Sequence, residues 1–142
     1  MKVDRETLQT GIPLIDRQHG EYFDRLDRLL QMAETGHVQR DQLKSEMDGL
    51  LMYAIEHFDA EESLMRSVQY PLYQKHSAKH SSFRDTMDQW NLELNGEEVN
   101  LDRYAVRMAT GLMVWVCDQI RTDDRQLAAF LKDRARPAAG SV

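Results

Sequence analysis

The hydrophobic residues of this chain recur at alternating spacings of three and four, which is the period of an α-helix. Four such stretches are separated by short polar segments, and no segment shows the sustained alternation typical of a β-strand. Amphipathic helices joined by short connections predict an all-α fold, namely an up-down-up-down antiparallel four-helix bundle. The predicted inner stripes include Tyr22, Phe23, Leu26 and Leu29, then Leu43, Met47, Leu50 and Phe58, then Leu72, Phe83, Met87 and Trp90, and finally Tyr104, Met108, Leu112, Trp115 and Ile120.

Capping and helix-breaking residues set the expected helix boundaries. Residues 1–15 are expected to form an extended N-terminal arm. Residues 1–131 are predicted to form one domain, and residues 132–142, which are small and polar, a C-terminal tail or linker. The boundary signals are Asp16 as the N-cap of the first helix, Thr35-Gly36 at its end, Asp41 near the start of the second, Tyr70-Pro71 where the third begins, and Asn100 as the cap of the fourth.

Five polar residues fall on these otherwise apolar stripes: His19, His57, Glu61, His76 and His80. His57 precedes Glu61 by four residues, as His76 precedes His80, so each pair lies on one helical face. Burying so many polar groups without a cation would leave them poorly satisfied. Imidazole and carboxylate ligands together favour iron, zinc or manganese. The pattern therefore predicts a metal site built from consecutive helices.

Other kinds of site match the sequence less well. A zincin needs H-E-x-x-H, whereas Ser77 follows His76. The Glu-x-x-His motif of ferritin-like bundles occurs once, but Gly36 lies inside it, so His37 is interpreted as a surface loop residue. Cys117 has no histidine base in helical phase and is expected to be structural.

Composition narrows the class of partner and the location. The formal net charge of the 142 residues is −6, which argues against a nucleic-acid surface. A single cysteine excludes an intrachain disulfide and is consistent with a reducing compartment. The sequence shows neither a secretion signal nor a membrane-spanning run, so we expect a cytoplasmic location and no membrane partner.

Four stretches of the chain carry a resemblance to a known family. They are GIPLIDRQHGEYF, which contains His19; HFDAEESLM, which contains His57 and Glu61; YPLYQKHSAKHSSF, which contains His76 and His80; and WVCDQIRTDDRQLAAFL, which follows Val114. Over about residues 8–131 the chain resembles the hemerythrins, specifically the bacterial hemerythrin-like domains or bacteriohemerythrins.

The resemblance implies two iron ions joined by an oxo or hydroxo group. In the family pattern, His19 and His57 serve one iron, while His76, His80 and the residue at position 119 serve the other. Glu61 and an aspartate, matched here by Asp124, bridge the two irons.

The fourth stretch departs from the family pattern, because Gln119 stands where the family has histidine. Gln119 shares a helical face with Val116, and both are expected to contribute to the cofactor and ligand pocket. Asp123 is closer to Gln119 in helical phase than Asp124 is. Ungapped matching favours Asp124, so Asp123 is kept as a second candidate or a solvated neighbour.

The resemblance further implies O₂ binding at a non-haem di-iron centre, with O₂ or a small anion as the ligand. A carboxamide is a weaker ligand than imidazole, so Gln119 favours fast autoxidation, and hence O₂ or redox sensing over O₂ storage. The tail is consistent with an output domain in a longer parent chain. An enzymatic alternative is a di-iron peroxidase or a peroxide- and NO-scavenging domain, and a third is a metal-free helical interaction module.

Overall fold

Four long helices carry the fold of residues 4–96 and 99–135, the part of the chain that this computed structural model describes. No strand occurs in these residues, and the predicted all-α four-helix bundle is confirmed. Within the same residues, no helix combines the length and apolarity needed to span a membrane. The elements are α1 (Pro13–Thr35), α2 (Arg40–Ser67), α3 (Tyr73–Leu94) and α4 (Leu101–Gln119), the last continued by a π-helical segment (Ile120–Asp124) and by α5 (Arg125–Ala135).

The buried hydrophobic residues form two clusters at different levels of the bundle. Helix α1 packs against α2 and α4, and α2 packs against α3. The larger cluster fills most of the bundle length, while the smaller one lies where α2 ends and α3 begins. Members of the larger cluster include Phe23, Leu26, Leu50, Phe83, Met108 and Leu112, and the smaller consists of Ile15, Met65, Tyr70 and Leu127.

The N-terminal arm differs from the extended segment that we predicted, since Arg5–Leu8 form a short 3-10 helix. The prediction that Asp16 is the N-cap of the first helix is also wrong, because α1 begins at Pro13 with Ile12 as its N-cap. Proline suits the first helical position, since its missing N–H would have no helical partner there. Asp16 instead reaches back from the first turn. Its carboxylate accepts hydrogen bonds from the Thr10 backbone N–H (2.8 Å) and hydroxyl (2.7 Å).

Most of the other predicted boundaries agree with the structure. Gly36 ends α1 with a φ of 74°, a value that glycine adopts without strain. The Asn100 side chain caps α4 by accepting from the Arg103 N–H at 3.0 Å. The third helix begins at Tyr73 and not at Pro71. Leu72 consequently lies in the connecting turn, where it is 39% exposed and not part of the predicted inner stripe.

The last helical rod is interrupted by the π-helical segment, which we had not predicted. Within it the Arg125 backbone N–H donates to the Ile120 carbonyl, five residues earlier. The rod then continues to Ala135, and Lys132 Nζ donates to the Thr10 carbonyl at 3.1 Å. The domain division at residue 131 stays a prediction, and residues 136–142 of the expected tail lie outside the described residues.

Candidate metal centre

Six polar side chains, contributed by all four helical rods of the bundle, meet at the level between the two apolar clusters. On α1, for example, the site residue lies between Ile15 of the smaller cluster and Phe23 of the larger. Every side chain in this group is buried, the most exposed being one histidine at 8%. The group consists of His19 from α1, His57 and Glu61 from α2, His76 and His80 from α3, and Asp124 from the π-helical segment.

The carboxylate of Glu61 lies at the centre of the group. Its Oε1 is 3.3 Å from His57 Nε2, and its Oε2 is 2.9 Å from His76 Nε2 and 3.1 Å from His80 Nε2. Asp124 occupies a similar position, with Oδ2 3.0 Å from His19 Nε2 and Oδ1 3.1 Å from His76 Nε2. All four histidines therefore present the same ring nitrogen, Nε2, to the two carboxylates.

These atoms fall into two overlapping sets that can each hold a cation. His19, His57, Glu61 and Asp124 form one set, and Glu61 with His76 and His80 forms the other; within each set the ligand atoms lie within 4.8 Å of one another. Two ligands at about 2.1 Å from one metal and at right angles to each other are about 3 Å apart, so the observed separations suit coordination. Glu61 belongs to both sets, which is the geometry of a bridging carboxylate.

The pKa shifts of His76 and Glu61 show that the cluster favours positive charge bound beside its carboxylates. Burial by itself lowers the pKa of His76, but its hydrogen bonds to Asp124 and Glu61 outweigh burial and raise that pKa to about 10. Burial likewise opposes ionisation of Glu61, yet the surrounding histidines, His57 first, hold its pKa well below the usual range. The Glu61 carboxylate thus remains anionic inside the bundle, and its charge requires compensation by protons on the histidines or by a bound cation.

The outer nitrogens of the histidines differ in what they contact. His57 Nδ1 is 2.7 Å from Gln18 Oε1, an acceptor, so the Nδ1 proton is fixed and the Nε2 lone pair is directed to the cluster. Among the described residues, Nδ1 of His19, His76 and His80 has no hydrogen-bond partner. Sequence reasoning had given Gln18 no role, although it directly precedes His19.

The π-helical segment separates the two candidate aspartates. Its i→i+5 hydrogen bonding places residues five apart, and not four apart, on the same face. Asp124, five residues after Gln119, accordingly points into the cluster. Asp123 forms an ion pair with Lys79 and accepts a hydrogen bond from Thr122 Oγ1 at 3.3 Å. Its buried carboxylate is therefore compensated outside the cluster.

A small cavity of about 20 Å³ adjoins the cluster on the side of His19 and His57. Gln119 and Val116, the two residues expected in the ligand pocket, both line it, and each is at most 7% exposed. The remaining wall is largely aromatic and consists of Gln18, Tyr22, Tyr53, Ala54, Phe58, Phe83, Trp115 and Asp124. A cavity of this size has room for a guest of only a few atoms.

One further buried residue, Glu62, differs from what helical phase predicts. Glu62 is 8% exposed, accepts a hydrogen bond from Ser77 Oγ at 2.6 Å, and has Oε1 3.9 Å from His80 Nδ1. Adjacent positions on a helix point in different directions, so an inward-facing Glu61 predicts that Glu62, the next residue, is exposed. His37 lies in an exposed loop with a φ of 61°, as predicted. Cys117 is buried and unpaired.

The fold and the cluster define a four-helix-bundle protein with a buried histidine and carboxylate site for cations. Residues 10–131 match the family described as the hemerythrin HHE cation binding domain, and the chain belongs to that family.

Curated relatives show the same affiliation, and a solved structure shows the same fold. A bacteriohemerythrin of Stenotrophomonas maltophilia (strain R551-3) is 30% identical over 129 residues, covering 90% of this chain and 80% of that protein. A bacteriohemerythrin of Aquifex aeolicus (strain VF5) is 34% identical over 96 residues, covering 64% of this chain and 71% of that protein. A crystal structure of wild-type hemerythrin superposes with a TM-score of 0.76 at 24% identity, covering 91% and 95% of the two chains, and shares the fold.

Proposed function

We propose that the chain binds two iron ions in the buried cluster and that its function is to bind O₂ there. The observation that carries the proposal is the position of Glu61, which belongs to both candidate cation sets. Of the predicted ligands, His19 and His57 would hold one iron, and His76 and His80 the other, with Glu61 and Asp124 bridging the pair. When bound, such a centre supplies reversible electron transfer to a small ligand.

The protein's part is to keep this site oriented and dry. Gln18 fixes the ring of His57 through its Nδ1. Phe58 stacks on His80 with ring centroids 4.0 Å apart and so restricts the orientation of that imidazole. The apolar clusters on either side separate the polar layer from solvent. These contacts support ligand binding at fixed geometry and not an open, water-filled site.

Gln119 is the feature on which we base a sensing role. It is 5% exposed, lines the cavity, and has no hydrogen-bond partner for Nε2 among the described residues. A carboxamide at this position leaves one iron with fewer imidazole ligands than the family pattern provides. We propose that this makes the reduced centre oxidise quickly in air, which suits O₂ or redox sensing in the cytoplasm better than durable O₂ carriage.

Iron content tests the proposal directly. We expect two irons per chain in protein expressed with ample iron, measured by elemental analysis. Replacement of His57, Glu61 or His76 by alanine is expected to reduce iron occupancy, since each removes an atom of the cluster. His37→Ala is the matched control because His37 lies in an exposed loop, and it is expected to retain both irons.

Three results would contradict this reading. One zinc per chain, or no metal, would overturn the di-iron proposal. Equal loss of iron in His37→Ala and His57→Ala would overturn the division of the histidines into cluster ligands and an exposed loop residue. Steady turnover of peroxide with a supplied reductant would instead identify a di-iron peroxidase, the enzymatic alternative.

A further inference from the structure

The cavity beside the cluster contains a second buried donor besides Gln119. Tyr22 lines the cavity, is 5% exposed, and its hydroxyl has no hydrogen-bond partner among the described residues. A buried donor without a partner is costly, so its presence calls for an explanation in terms of a guest. Two such donors, Tyr22 Oη and Gln119 Nε2, belong to the same small cavity.

We propose that Tyr22 donates a hydrogen bond to the ligand held in this cavity, and that Tyr22 and Gln119 together favour a small ligand whose free end accepts hydrogen bonds. The inference rests on the proposed function, because it places the ligand beside His19 and His57 of the metal cluster. The ligand class comprises O₂ and anions of two or three heavy atoms, whose free end can accept a hydrogen bond.

The surroundings of Tyr22 support a donating hydroxyl. Burial raises the pKa of Tyr22, so the hydroxyl keeps its proton across the physiological range. The ring is held edge-on to Phe83, with centroids 6.4 Å apart and an interplanar angle of 63°. Neither Phe83 nor Val116, which also line the cavity, carries a side-chain acceptor that could compete with a guest.

Two other polar residues of the wall, Gln18 and Tyr53, already have partners within the protein. Gln18 Oε1 contacts His57 Nδ1, and the Tyr53 hydroxyl donates to Glu21. The cavity volume of about 20 Å³ then limits the guest to a few atoms, with one end at the cluster and the other at the donors. A guest gains most from these donors when its free end carries negative charge, because charge-assisted hydrogen bonds are stronger than neutral ones.

The test uses the iron-loaded oxidised protein and azide as the probe anion. Tyr22→Phe removes the hydroxyl and leaves the ring in place. Tyr104→Phe is the matched control, because Tyr104 is only 1% exposed and is not among the residues lining the cavity. Iron content is measured first in each protein. The azide dissociation constant and the azide infrared stretching band are then measured.

We expect Tyr22→Phe to keep its iron, to bind azide about tenfold more weakly, which corresponds to about 1.4 kcal/mol, and to shift the azide band. Tyr104→Phe is expected to match the wild type in both measurements. Unchanged affinity and an unchanged band in iron-loaded Tyr22→Phe would overturn this inference and leave the proposed function standing. Wild-type protein that takes up no iron would overturn the proposed function, and this inference with it.

A second measurement does not depend on the Tyr22 variant folding. In Gln119→Leu, which keeps the tyrosine donor, the azide band is expected to shift between H₂O and D₂O, because the hydroxyl proton exchanges. The absence of any solvent-isotope shift in iron-loaded Gln119→Leu would show that Tyr22 does not donate to the ligand, and would overturn the inference.

Discussion

Gln119 shows how far a single side chain can be interpreted from sequence and how much its surroundings add. Helical phase predicts that it points inward with Val116, and the structure places both residues in the wall of the same cavity. Its Nε2 lacks a partner among the described residues. The free atom is a donor, which supports a role in hydrogen bonding to a ligand or water beside the metal cluster.

Restoring a histidine at this position tests that role. Gln119→His is expected to slow oxidation of the reduced protein in air and to lengthen the life of its oxygenated form, because it returns an imidazole to the cluster at little steric cost. Stopped-flow mixing of the reduced protein with O₂ measures both rates, with Val116→Ile as a control that changes the cavity wall but adds no ligand. Equal oxidation rates for wild type and Gln119→His would show that Gln119 does not set this chemistry.

At the scale of elements, the N-terminal arm connects the first rod of the bundle to the last. The start of α1 is tied to the N-terminal arm by Asp16, which accepts from Thr10 and from the Gly11 N–H at 3.0 Å. Thr10 is in turn bonded to Lys132 of α5 through its carbonyl. This arm therefore links the first and last rods close to the polar layer.

Asp16→Ala is expected to destabilise the protein by about 1–2 kcal/mol, since it removes a charged acceptor shared by Thr10 and Gly11. Urea unfolding monitored by circular dichroism gives the difference in free energy of unfolding. Asp88→Ala is the matched control, because Asp88 is exposed in the middle of α3 and its loss is expected to change stability by less than about 0.5 kcal/mol. Equal changes in the free energy of unfolding for the two variants would contradict a stabilising role of the Asp16 hydrogen bonds.

For the whole molecule, the notable arrangement is a buried polar layer between two apolar clusters. The layer contains two carboxylates and four histidines, and it lies where all the rods converge. Protons on the histidines can compensate its negative charge, since hydrogen bonds to Asp124 and Glu61 raise the pKa of His76. Cations that bind the folded layer and not the unfolded chain stabilise the bundle by mass action.

Removal of iron with a chelator under reducing conditions is therefore expected to lower the melting temperature. Saturation at 100 times the dissociation constant contributes about 2.7 kcal/mol, which for a domain of this size corresponds to a shift of about 5–11 °C. Differential scanning calorimetry before and after chelation measures the shift. His57→Ala, with a weakened site, is expected to respond less, and a wild-type melting temperature that does not change on removal of bound iron would contradict the coupling.

The sequence by itself determined the four-helix bundle and the face that each helix buries. Helical periodicity is a local property of the chain, and burial of the hydrophobic stripe follows from it. The same periodicity predicted that His19, His57, Glu61, His76 and His80 lie on inward faces, and all five are buried in one layer.

Matching to the family pattern favoured Asp124 over Asp123, but only the tertiary structure supplies the physical reason. A regular helix favours Asp123, whereas the π-helical segment turns Asp124 inward and leaves Asp123 to Lys79. Residues distant in sequence also become neighbours elsewhere in the site. Gln18 contacts His57, Glu62 accepts from Ser77, and the Tyr22 ring forms part of the cavity wall. Helical phase fixes the direction in which a side chain points, but its partners depend on how the rods pack against one another.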